Sequence, residues 1–118
     1  MARHNFRNLK IWQDDVEFVL SNYAITNNFP DSERFNLTSQ MNRCAVSIPS
    51  NIAEGSAKST NKHFKIFLET SLGSAFEWET QFIVAHKLNY ITETIYNHQM
   101  EEIQRLQRMI GAFIDRLN

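Results

Sequence analysis

Apolar residues recur every three or four positions along four stretches that together cover most of this chain. That period marks one buried face of an α-helix, and nothing of useful length alternates as a strand would. The first stretch runs from about Leu9 to Thr26. Leu9, Trp12, Val16, Val19 and Tyr23 form its stripe, Leu20 widens it, and Asn27, Asn28 and Pro30 stop it. The second covers about Leu37 to Ser56, with Leu37, Met41, Cys44, Ile48 and Ile52 on one face and Gly55 as a terminator. The third spans about Lys62 to Tyr90, with Ser59, Thr60 or Asn61 as the N-cap. The fourth runs from about Glu93 to Leu117, striped by Ile103, Leu106, Ile110, Phe113 and Leu117. The connections are short, which favours antiparallel neighbours. Only three glycines and two prolines occur, too few for a fold built on tight turns. The expected architecture is therefore all-α: an up-down-up-down antiparallel four-helix bundle, one domain over residues 1–118.

The third helix carries two apolar stripes. Phe64, Phe67, Ser71, Ser74, Trp78, Ala85 and Leu88 form one, and Leu68, Leu72, Phe76 and Ile83 the other. A bundle helix needs a single buried face. The second stripe predicts a subunit interface, and hence a homo-oligomer, because large apolar patches mark association sites.

Function is harder to read. The net charge is −1, whereas a dedicated nucleic-acid binder is strongly basic. The single cysteine, Cys44, excludes an internal disulfide and fits a reducing compartment. No apolar run is long enough for a bilayer, and the opening MARHNFRNLK lacks the apolar core of a signal peptide, so a cytoplasmic protein is expected with no membrane role. A di-iron bundle needs Glu-x-x-His pairs. The residues three before His4, His63, His86 and His98 are Met1, Thr60, Ile83 and Ile95, none of them a carboxylate. Gly55, Gly73 and Gly111 are too scattered to build a phosphate loop. Cys44 sits on an apolar stripe and reads as a core residue rather than a nucleophile. No catalytic, cofactor or metal residues are expected. Lys58, Lys62, His63 and Lys65 make a modest basic cluster at the start of the third helix, where an anion is also favoured by the helix N-terminus.

The second helix has a polar stripe as well: Gln40, Arg43, Ser47, Asn51 and Glu54 recur at intervals of three and four. Periodicity favours an ordinary outer face. The small neighbours Ala45, Ser50 and Ala53 allow a close helix approach, so Ser47, Asn51 and Glu54 are read as hydrogen-bonded packing partners before catalytic groups. An enzyme using Glu54 as a base beside His63 or Arg43 lacks the cleft and the charge partner that such work needs. Pro49 removes one helical N–H and crowds the preceding turn. The apolar stripe keeps its register through Ile48 and Ile52, so a kink at Pro49 is expected, not a break.

Three segments carry a family resemblance. "FRNLKIWQ", "FPDSERFNLTSQMNRCAVSIPSNIAEG" and "FLETSLGSAFEWETQ" resemble, over nearly the whole chain, the bacterial four-helix-bundle family encoded in intervening sequences of the large-subunit ribosomal RNA gene. Asn36, Cys44 and Trp78 depart from residues common there, glycine, alanine and leucine. The resemblance implies a ring, typically a homopentamer, and an RNA-related role. The family is similar to the accessory variability determinant of diversity-generating retroelements, a basic pentamer that works with a reverse transcriptase and nucleic acid.

The expectation is a non-enzymatic oligomeric scaffold that engages RNA or an RNA-processing protein through Arg43, Lys58, Lys62 and Lys65. The competing reading is a protein-interaction module with no nucleic-acid role. Because phosphate contacts dominate nucleic-acid affinity, a near-neutral subunit binds RNA only if its basic residues gather on one surface.

Overall fold

The computed structural model describes residues 3–117. Four α-helices account for most of them: α1 (Lys10–Thr26), α2 (Leu37–Ser56), α3 (Asn61–Lys87) and α4 (Glu93–Arg116). Short 3-10 turns at Phe6–Asn8 and Asp31–Glu33 precede α1 and α2. No strand occurs among the described residues. Each helix packs on the next and α4 returns to α1, with the α2–α3 seam the most extensive.

The helix limits follow local chemistry. Thr60 caps α3 by accepting from the His63 N–H at 3.2 Å, and Thr92 caps α4 by accepting from the Ile95 N–H at 3.3 Å. The far end of α3 stops two to three residues before the periodic pattern does. Asn89 adopts φ 65° there, and the N–H groups of Tyr90 and Asn89 donate back to the carbonyls of Ala85 and His86. This is a Schellman motif with asparagine in the left-handed position.

The core is built from Met41, Ile48, Ile52, Phe64, Leu68, Trp78, Phe82, Ile103, Leu106 and Ile110, all buried. Trp78 stacks on Phe82 with ring centroids 4.6 Å apart and meets Phe18 edge-on at the same distance. The expected stripes of α2 and α4 are buried or half-buried. Helix α2 is unbroken from Leu37 to Ser56 with Pro49 inside it.

Three local expectations are corrected. The inward face of α1 is Ile11, Asp15, Phe18, Asn22 and Thr26, about a quarter-turn round the axis from the apolar stripe; Tyr23 and Leu20 are exposed. Three of those five inward positions are polar, so a count of apolar residues points to the wrong face. Gly55 does not terminate α2, which continues to Ser56. It allows close packing instead: a Cβ there would lie 2.6 Å from Phe67 Cβ and 2.9 Å from Phe64 Cδ1. Leu68 is 0% exposed inside the chain and so has no surface to offer a partner. Of the other residues in that second stripe, Phe76 is 52% exposed, while Leu72 and Ile83 are half-buried.

Candidate functional site

The polar interior comes first, because it decides which side chains are free for other work. Asn22 on α1 is fully buried. Its Oδ1 accepts from Trp78 Nε1 at 2.8 Å, and its Nδ2 donates to Asn42 Oδ1 at 2.8 Å. Thr26 Oγ1 donates to the same Asn42 oxygen at 2.8 Å. The cluster ties α1, α2 and α3 together, and Trp78 brings the one polar atom of a core indole to a partner. The sequence offered no local signal for it, since Asn22, Asn42 and Trp78 are far apart along the chain.

The α2–α3 seam holds a second set. Ser47 and Ser74 hydroxyls lie 2.8 Å apart, Ser71 Oγ donates to the Ile48 carbonyl at 2.8 Å, and Cys44 Sγ donates to the Ser74 carbonyl at 3.0 Å. Asn51 Nδ2 donates back to the Ser47 carbonyl at 2.8 Å and to Ser47 Oγ at 2.9 Å. Burial, with Glu77 nearby, pushes the Cys44 thiol up to about 12, so the thiolate nucleophile is suppressed at neutral pH. Ser47 and Asn51 are thus internal packing partners. The rest of the polar stripe differs: Gln40, Arg43 and Glu54 are exposed. Glu54 forms no hydrogen bond with His63, whose Nδ1 instead meets Thr60 Oγ1 at 3.0 Å.

Asp15 stands apart. It is fully buried, and neither carboxylate oxygen has a hydrogen-bond partner. Burial, reinforced by neighbouring Asp14 and only partly offset by Arg105, pushes its carboxyl up to about 8. The side chain is therefore mostly protonated at neutral pH. Asp14 behaves in the opposite way. Burial alone would raise it, but hydrogen bonds from Lys10 at 2.8 Å and Arg105 at 2.9 Å outweigh that and hold it below the usual carboxylate range. Arg105 also bonds Glu102 on its own helix at 2.9 Å, and its bond to Asp14 clamps α4 to α1.

The cations are unevenly distributed. Arg3 Nε donates to the Ala57 carbonyl at 2.8 Å, and the His4 ring lies 4.9 Å from Phe64 and 6.1 Å from Phe113. These contacts gather the start of the chain, the end of α2, the start of α3 and the end of α4 at one end of the bundle. Lys10 and Arg116 line one groove there, and Lys62 and Lys65 line another. Lys58 sits over the Phe67 ring at 4.9 Å. The segments that meet here carry seven cations, Arg3, Arg7, Lys10, Lys58, Lys62, Lys65 and Arg116, interspersed with the acids Asp14, Glu54, Glu69 and Asp115. Of the four residues expected to touch a partner, Lys58, Lys62 and Lys65 are brought together. Arg43 is not: it lies roughly 20 Å along α2 from that end, near Gln40 and Glu77. Arg3, Arg7, Lys10 and Arg116 were missed because the chain folds them beside the lysines from the two ends of the sequence.

Among the described residues, no cluster of His, Cys, Asp and Glu is placed to hold a metal ion, and no helix is long and apolar enough to cross a membrane.

Fold and site together define a four-helix domain with a hydrogen-bonded polar interior and a cationic end. The chain belongs to the 23S rRNA-intervening sequence protein family, whose model matches residues 7–112. Among solved structures it is similar to a protein of unknown function from the S23 ribosomal protein family of Bacteroides thetaiotaomicron VPI-5482. The TM-score is 0.82 at 20% identity, covering 88% of this chain and 97% of that one, a likeness that shows the fold. No curated protein matches the sequence.

Proposed function

We propose that this protein is a non-enzymatic homo-oligomeric scaffold that engages RNA through its basic end. One observation carries the reading: seven of the twelve Lys and Arg residues gather where both chain ends meet the α2–α3 turn. Lysine and arginine clusters release counterions from phosphate backbones, and a ring of subunits multiplies such a patch. The family name supports an RNA-related setting, and a pentamer is the assembly implied by the family resemblance. The polar interior supports the non-enzymatic part, because Cys44, Ser47, Asn51 and Ser71 spend their hydrogen bonds on packing.

The second reading, a protein-interaction module, draws on exposed apolar groups. Phe35 is 83% exposed and Phe76, Ile66 and Val84 are about half exposed. Such side chains are natural anchors for a protein partner or a second copy.

The test is a fluorescence-anisotropy titration of a structured RNA at 50 and 200 mM salt. The scaffold–RNA reading expects a Kd below about 10 µM at low salt that weakens steeply with added salt. Absence of salt-dependent binding in that range removes the RNA role and leaves the interaction module.

A further inference from the structure

Gln40, Arg43 and Ser47 recur at intervals of three and four on α2, and Ser74, Glu77 and Gln81 do the same on α3. Helix residues so spaced share a face. At the α2–α3 seam the two rows line a cleft of about 320 Å³, at the small end of ligand sites. Cys44 also lines it, but burial holds that thiol protonated at neutral pH, so Arg43 and Glu77 are the only charged groups in the lining. Both are exposed, and neither forms an ion pair with the other or with any other described residue. Arg43 makes no hydrogen bond through its side chain to any described residue, and Glu77 accepts a long one from Gln81 Nε2 at 3.5 Å. The Ser47 and Ser74 hydroxyls lie 2.8 Å apart, and Ser47 Oγ already accepts from Asn51. Two hydroxyl protons serve one mutual bond, so one O–H is left for an outside acceptor. No aliphatic or aromatic side chain lines the cleft.

We propose that this cleft binds a free α-amino acid with a small polar side chain, its carboxylate on the Arg43 guanidinium and its ammonium on the Glu77 carboxylate. A guanidinium presents paired N–H donors that match a carboxylate, and the seryl hydroxyl pair adds a further donor. An ion of one sign pairs with one of the two charges and is repelled by the other. A hydrocarbon side chain finds no apolar wall to bury against. The cleft lies roughly 20 Å along α2 from the basic end, so this site stands apart from the RNA reading.

The probe is L-serine, titrated at low salt into uniformly 15N-labelled full-length protein. Saturable shifts are expected at the backbone amides of Arg43, Ser47, Ser74 and Glu77, with a Kd of about 1 mM, within the ceiling for so small a ligand. Ethanolamine lacks the carboxylate and 3-hydroxypropanoate lacks the ammonium, and each should bind about tenfold more weakly. L-Leucine, which keeps both charges but carries hydrocarbon, should also bind more weakly than L-serine. Arg43→Gln and Glu77→Gln change exposed side chains and should keep the dispersed spectrum of the folded protein, while each weakens L-serine about tenfold. The proposal is overturned if L-serine gives no saturable shift at those amides up to about twenty times the expected Kd. It is also overturned if ethanolamine, 3-hydroxypropanoate or L-leucine binds as tightly as L-serine, or if either variant binds L-serine as well as wild type does.

Discussion

Asn22 and Lys62 are both polar, yet they answer to different physics. Asn22 is shut inside the bundle with its oxygen and nitrogen both engaged by other helices. Lys62 stands exposed at the start of α3, in the groove it shares with Lys65. A buried amide contributes only if every partner is in place, so it fixes the register of three helices. An exposed ammonium contributes almost nothing to the fold and is free to meet an anion. Polar residues in this protein therefore divide by location: those inside specify the bundle, and those gathered at the basic end carry the proposed partner chemistry. Asp15 sharpens the contrast, being buried like Asn22 but without its partners.

The interior should be fragile. Asn22→Leu strands Trp78 Nε1 and leaves Asn42 Oδ1 with Thr26 as its remaining donor, and urea denaturation should show a loss of about 3–5 kcal/mol. A loss below about 1 kcal/mol would mean that the cluster is dispensable. Asp15→Asn should act in the opposite sense and depend on pH. The folded protein holds the Asp15 proton up to about pH 8, whereas an unfolded aspartate releases it near 4. The native state is thus favoured below pH 4 and loses that advantage as pH rises from 4 to 8. At pH 9 the Asn variant should be more stable than wild type by about 2–5 kcal/mol, a gap that closes toward pH 4. A pH-independent gap would place the Asp15 carboxylate in a solvated site. Gly55→Ala drives a methyl against Phe67 and Phe64, and calorimetry should show a cost of about 1–3 kcal/mol. At the other extreme, Lys62→Gln should leave stability within about 0.5 kcal/mol, since the side chain is solvent-exposed.

Much of this fold was legible in the sequence because helical periodicity is a local signal. All four helices lie within three residues of the limits that spacing and caps predict, and the core faces of α2 and α4 agree. Periodicity failed where polarity and burial part company. The inward face of α1 carries Asp15, Asn22 and Thr26, which a hydrophobic count reads as outward. Leu68 was assigned to an outer stripe because α3 is apolar on more than one side, and only the packing shows which side closes the core. The site was half legible. Lys58, Lys62 and Lys65 are neighbours in sequence and stand out there. The four cations that join them come from the two chain ends, and only tertiary contacts bring them in.

The division between inside and end is tested most directly by measuring RNA affinity and unfolding free energy on the same two proteins, the triple variant Lys58→Gln, Lys62→Gln, Lys65→Gln and the single variant Ser71→Ala. The triple variant should bind structured RNA at least tenfold more weakly at 50 mM salt, with a shallower salt dependence and stability unchanged within about 1 kcal/mol. Ser71→Ala removes only the hydroxyl that reaches the Ile48 carbonyl, and should lose about 1 kcal/mol while binding RNA as wild type does. Undiminished RNA binding by the triple variant, or weakened binding by a folded Ser71→Ala, would contradict the account.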